Sequence, residues 1–156
     1  MLSERLKNPR FLYLFFMCGA NSLFHSFAFS LDMIYYFDVI QMTALQLVLV
    51  GTMLEFSVLI FEVPTGVVAD LFGRKRSIII GYFLIGSGIV LQGIIAEFWN
   101  ILLCQVLWGV GYTFISGATQ AWISDEIGET NANEVILKGF RPSQIMSIVG
   151  VVLAAL

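Results

Sequence analysis

Charge is scarce in this sequence. Only 12% of its 156 residues are charged while 58% are hydrophobic, against about a quarter charged and half apolar in a soluble domain. That balance excludes an ordinary water-soluble globule and leaves a chain that resides in lipid. The eight Lys and Arg residues and the net charge of -3 are too weak and scattered for the basic footprint that nucleic acid demands, so no nucleic-acid partner is expected. Histidine occurs once, at His25, and cysteine twice, at Cys18 and Cys104. Two separated cysteines inside apolar stretches build neither a disulfide framework nor a CxxC metal site. The HExxH and GxSxG patterns are both missing, so neither a zinc protease nor a serine hydrolase is indicated. No metal, no cofactor and no enzymatic activity are expected.

Long apolar runs are what the sequence has instead. Residues 11–30, 45–71, 78–95 and 101–122 each supply the apolar length that a crossing needs, about 20 residues. A fifth run starts at Gln144 and has 13 residues through Leu156, roughly 20 Å of helix where about 30 Å is required. The expected fold is therefore an all-α polytopic membrane protein, one domain over 1–156, truncated within its fifth helix. The charged start MLSERLKNPR leads into a run too long for a signal-peptide core and without a small-residue cleavage site, so the first span is read as uncleaved. Asn8 and Pro9 suit the cap and first turn of its helix.

Positive residues stay on the cytoplasmic side of a membrane. Arg5, Lys7 and Arg10 precede the first span, Arg74, Lys75 and Arg76 join the second to the third, and Lys138 and Arg141 join the fourth to the fifth. The loops on the other side, LDMIYYFDVIQMTA and AEFWN, contain only acids: Asp32, Asp38 and Glu97. The N-terminus is thus expected to be cytoplasmic, with Tyr35, Tyr36 and Trp99 at the outer interface, where amphipathic rings prefer to sit. The polar stretch SDEIGETNANEVILKGFRPSQ is expected to form a short surface helix inside the cell.

Within the spans, ionisable groups cost free energy and so mark candidate function. The second span carries Glu55 and Glu62, seven apart and on one helical face. Its 15 Leu, Ile, Val and Phe residues contribute about -0.3 to -0.6 kcal/mol each, against roughly 5 to 7 kcal/mol for the two acids, so it needs protein or water beside it. Pro64 removes a backbone donor and bends this helix. Counting from the inner ends, His25, Glu55, Gln92 and Gln105 lie roughly 21 to 25 Å deep, which suggests a shared polar layer. Substrate or proton handling and a satisfied structural hydrogen bond both fit His25 and Glu55. On the fourth span, Gln105, Trp108, Tyr112, Ser116 and Thr119 form a stripe spaced 3, 4, 4 and 3, suited to a wet cavity for an organic molecule or to plain aromatic packing. Asn21 and His25 offer an opposing wall. A second stripe, Gly109, Thr113, Gly117 and Ala121, lets a neighbouring helix come close.

Between the second and third spans stands GVVADLFGRKRS. Gly73 ends one helix, and the cations after it hold the joint inside. Asp70 sits at a helix C-terminus, where the macrodipole disfavours negative charge, so it needs a partner. Arg74, four residues on, is the nearest, and Asp125 could extend a chain of alternating charges. Gly66 clears room for another helix to cross.

The pattern of Gly66, Asp70, Gly73, Arg74 and Lys75 between two spans resembles the signature loop between helices two and three of the major facilitator superfamily of secondary transporters. The stretches FEVPTGVVADLFGRK and LWGVGYTFISGATQAWISDE are similar to those of its drug-efflux-like, poorly characterised members. The resemblance implies helices one to four and part of five of a normally twelve-helix protein in the plasma (cell inner) membrane. It implies alternating access by two halves around a midplane site for a small organic solute. Asp70 would contact a helix of the missing C-terminal half and, with Arg74 and an acid matching Asp125, latch the outward-facing state. Helices one and four would line the cavity, helix two would lie at the seam, and Glu55, Glu62 or His25 would handle coupling ions. Proton-coupled relatives commonly carry arginine where this chain has Gln105, which argues against their usual coupling route. The rival expectation is a short non-transporting membrane subunit or truncated gene product with a packing or assembly role.

Overall fold

A computed structural model describes residues 8–156; Arg5 and Lys7, two of the cations used to orient the chain, lie outside the described residues. Among the described residues, five helices are long and apolar enough to cross a membrane. They are α1 (Pro9–Asp38), α2 (Ala44–Phe72), α3 (Arg74–Ile94), α4 (Phe98–Ile127) and α5 (Glu129–Ala154). The chain is an all-α polytopic membrane protein.

Local chemistry explains where these helices start and stop. Asn8 caps α1, its side chain accepting from the Arg10 N–H at 3.0 Å, with Pro9 in the first turn. Thr43 and Gln46 form a reciprocal capping box at the start of α2, satisfying two backbone donors that the first turn leaves orphaned. The Asn100 amide donates to the Leu91 and Ile95 carbonyls at 3.0 and 2.8 Å and so closes the end of α3. Gly73 and Gly128, with φ of +97° and +82°, each make a one-residue joint between successive helices, a backbone conformation that a Cβ would oppose.

The helices run beyond the apolar spans. α1 continues through Asp38, eight residues past the expected limit at Ser30. The cations Arg74, Lys75 and Arg76 form the first turn of α3 rather than a loop. The polar stretch after Gly128 is the first half of α5 rather than a separate surface helix, and α5 passes through Pro142 without a break. α2 likewise passes through Pro64. One residue on, the Thr65 hydroxyl donates to the Phe61 carbonyl at 2.8 Å, while the carbonyl that the proline leaves without a backbone donor is that of Ile60, four residues before it.

By packing, the chain divides into two compact units. In Tyr36–Thr119, α4 provides the core through Ile101, Cys104, Gln105, Trp108 and Thr113. α3 crosses it with little separation: a methyl group at Gly81 would fall 2.5 Å from the Gly111 carbonyl oxygen, and one at Gly111 2.7 Å from that of Gly81. Only glycine fits both sides of such a crossing. One turn away, the Ser77 hydroxyl donates to the Phe114 carbonyl at 2.7 Å. α2 approaches α4 at Gly109, where a Cβ would meet that of Ser57 at 2.7 Å. Leu59, Val63 and Phe83 point away from these contacts and are highly exposed, which suits side chains against lipid tails.

The other unit joins the described residues up to Tyr35 with Gln120–Leu156. In α1, Tyr13–Ala20 is wound as a π-helix, the Asn21 N–H returning to the Phe16 carbonyl five residues back. α5 lies along this stretch through small residues at helical spacing. Gly139 faces Cys18 and Tyr13, Ser143 donates to the Cys18 carbonyl at 3.1 Å, Ser147 and Ser26 share a hydroxyl hydrogen bond, and Gly150 meets the Leu23 carbonyl. Small residues let the backbones close in, and interhelical hydroxyl bonds hold where no water competes.

Candidate functional site

The GVVADLFGRKRS joint takes a specific form. Asp70 lies in the last turn of α2 and Arg74 in the first turn of α3, with Gly73 between the helices. Each charge stands at the wrong end of its own helix, since C-termini repel anions and N-termini repel cations. Each therefore offsets the other, and Arg74 reaches Asp70 at 3.8 Å. The Asp70 side chain is 73% exposed, so the pair adds little to stability, about 0 to 1 kcal/mol. Its carboxylate can change partners at low cost, as a switchable contact requires. Lys75 is exposed, and a Cβ at Gly66 would meet nothing within 4 Å. Among the described residues, no helix crosses closely at Gly66. Asp125 is exposed near the end of α4, in the other unit, where the neighbouring Glu126 accepts from the Trp122 indole at 3.1 Å.

A polar cluster lies inside the Tyr36–Thr119 unit. The Gln105 amide donates to the Tyr36 hydroxyl at 2.9 Å, and that hydroxyl donates to the Gln92 carbonyl oxygen at 3.2 Å. Three elements meet there, the end of α1, α3 and α4, and all three side chains are buried. Gln92 and Gln105, expected at one depth, are brought together. Glu55 is not part of the cluster and lies exposed on α2, as does Glu62. Tyr36, expected at the outer interface, is instead buried at 2% exposure, because α1 continues far enough to carry its ring between α3 and α4. Trp99, by contrast, is largely exposed.

The aromatic and polar stripe of α4 splits by environment. Gln105 and Trp108 are buried in the packed unit, whereas Tyr112 is exposed and Ser116 and Thr119 are half-buried. Thr119 returns its hydroxyl to the Ile115 carbonyl at 2.6 Å. On α1, Asn21 is half-buried and His25 exposed, its ring 4.8 Å from that of Phe29. The small-residue stripe is not a single interface: Gly109 makes a close approach, while a Cβ at Gly117 would meet nothing within 4 Å. The close α3 crossing falls at Gly111, outside that stripe. Neither cysteine is in a disulfide, and among the described residues no group of three His, Cys, Asp or Glu side chains could hold a metal ion.

Five apolar helices, a glycine joint bearing an exposed acid–base pair and a glycine-packed interior define a polytopic integral membrane protein. The Major Facilitator Superfamily matches residues 10–156, and the chain belongs to it. This is a superfamily of transporters rather than enzymes. The chain is similar to the uncharacterized MFS-type transporter YxaM of Bacillus subtilis (strain 168), with 34% identity over 94 residues, 60% of this chain and 24% of that protein. It is also similar to the uncharacterized transporter BU466 of Buchnera aphidicola subsp. Acyrthosiphon pisum (strain APS), 35% identical over 75 residues, 48% of this chain and 19% of that one. The inner membrane transport protein YajR of Escherichia coli (strain K12) is 31% identical over 77 residues, 49% of this chain and 16% of that protein. The matches thus span about a quarter or less of the length of these relatives. No solved structure matches.

Proposed function

We propose that this chain supplies the first helices of a secondary transporter that carries a small organic solute across the inner membrane by alternating access. The observation that carries this reading is the Asp70–Arg74 pair at the one-residue joint of α2 and α3, in the loop whose sequence resembles the superfamily signature. An exposed ion pair of little stabilising value is well suited to exchange partners as two halves of a transporter rock. Gly66, Gly73 and Lys75 complete the latch, and Asp125 is a separate candidate near the end of α4. The N-terminus is cytoplasmic in this reading, supported by the sorting of cations along the chain.

Tyr112, Ser116 and Thr119 on α4 are the candidates for contact with the solute, with Trp108 and Gln105 behind them on the packed side; Asn21 and His25 are separate candidates on α1. Tyr112 is favoured for direct contact because its ring is exposed while its neighbours Gly111 and Thr113 are buried. Glu55 and Glu62 are the candidates for ion coupling, since both are exposed on α2 and an acid in a span demands protein or water beside it. Export of the solute is the direction suggested by the likeness to drug-efflux-like members.

Transport by the full protein tests the latch. Asp70→Asn keeps size and polarity and removes the charge, so insertion and folding are retained, while transport falls by about 5- to 150-fold, the scale of a typical conformational coupling. Wild-type transport rates in correctly inserted Asp70→Asn protein would remove the latch from the mechanism.

A further inference from the structure

A second group of cations lies where α1 and α5 meet. Gly139 of α5 faces Tyr13 of α1. Arg10 stands one turn before Tyr13, and Lys138 and Arg141 flank Gly139. All three cations are exposed. Glu134, Lys138 and Arg141 are spaced 4 and 3 and share a helical face. Lys138 donates to Glu134 at 2.6 Å, and the charge of Arg10 acts on the same carboxylate from the neighbouring helix. Lys138 and Arg10 thus bear on one acid, with Arg141 further along the same face of α5, so that cations outnumber the acid there.

The surroundings identify what that charge is suited to hold. Leu137 and Phe140, beside Lys138 and Arg141, are exposed apolar side chains. On α1, Phe15 is exposed and stacks on Phe11 with ring centroids 5.5 Å apart. Both helices pass from charged to apolar sequence at this point: α1 after Arg10, α5 after Gln144. Cations at the boundary of the hydrocarbon with an apolar rim match a phosphate that carries acyl chains, whereas a free anion gains nothing from the rim.

We propose that Arg10, Lys138 and Arg141 form a binding site for the phosphate of an anionic phospholipid, with its acyl chains against the adjoining apolar side chains. Glu134 limits the affinity by holding Lys138. None of these residues belongs to the latch or to the solute site proposed above.

The test uses the full protein in mixed micelles of phosphatidylglycerol and phosphatidylcholine, with retained lipid counted by native mass spectrometry. Wild type retains phosphatidylglycerol in preference to phosphatidylcholine. Arg10→Gln and Arg141→Gln each reduce that preference about fivefold, the effect of one cation near a membrane surface. Glu134→Gln raises it, since Lys138 is released, and this opposite sign separates a lipid site from a general loss of folding. Arg76→Gln, on α3, leaves it unchanged. Equal retention of the two lipids by wild type would overturn the proposal, as would an unchanged preference in both arginine variants. Displacement of phosphatidylglycerol by excess inorganic phosphate would instead show a free-anion site and overturn the lipid reading.

Discussion

Tyr36→Phe is the most informative single change to the packed interior. It deletes one oxygen and leaves the ring in place. The lost hydroxyl accepts from Gln105 at 2.9 Å and donates to Gln92 at 3.2 Å, so each of two buried amides loses this partner. In soluble proteins a buried group deprived of its partner costs about 1 to 3 kcal/mol. Inside membrane proteins, measured side-chain hydrogen bonds average about 0.6 kcal/mol, with a maximum near 1.7. Two such bonds therefore place the expected loss at about 1 to 3 kcal/mol. The triple variant Tyr36→Phe, Gln92→Leu, Gln105→Leu removes every polar group of the cluster at similar volume, and replacing all partners together is nearly neutral. It should recover most of the stability lost by the single change. Unfolding of the full protein in mixed micelles, titrated with sodium dodecyl sulfate, measures both. A Tyr36→Phe variant as stable as wild type, or a triple variant weaker than the single one, would refute the reasoning that the cluster is a mutually dependent buried network.

Other predictions follow from contacts and exposure. Gly81→Ala would press a methyl group on the Gly111 carbonyl at 2.5 Å and should destabilise the protein by about 1 to 3 kcal/mol in the same titration. Gly117→Ala, with open space around it, should be neutral or gain up to about 1 kcal/mol from helix propensity. Gly73→Ala puts a Cβ at φ +97° and should cost about 1 to 2 kcal/mol, read as a lowered unfolding midpoint. Tyr112→Ala should shift the range of compounds transported, with little change in stability because the ring is exposed; an unchanged profile over a broad panel would count against its place in the cavity.

What could be read from the residues alone is what depends on local composition and spacing. Hydrocarbon demands about 20 apolar residues per crossing, a one-dimensional property, so the apolar helices and the all-α membrane class were visible without a fold. The glycine joint at Gly73 was equally local, as was the Asn8–Pro9 start. The Thr43–Gln46 capping box was written in the sequence too, beginning two residues before the expected start of the second span, but a count of apolar residues passes over it. Tyr36 is different. Its burial depends on whether α1 continues beyond its apolar run and on what its final turn meets, and hydropathy carries no signal for either. The glycines divide in the same way: Gly66, Gly81, Gly111 and Gly117 all sit in helices, yet only Gly81 and Gly111 make the close crossing between α3 and α4. A glycine permits close approach wherever it stands, but the approach itself belongs to a pair of helices and exists only once both have packed.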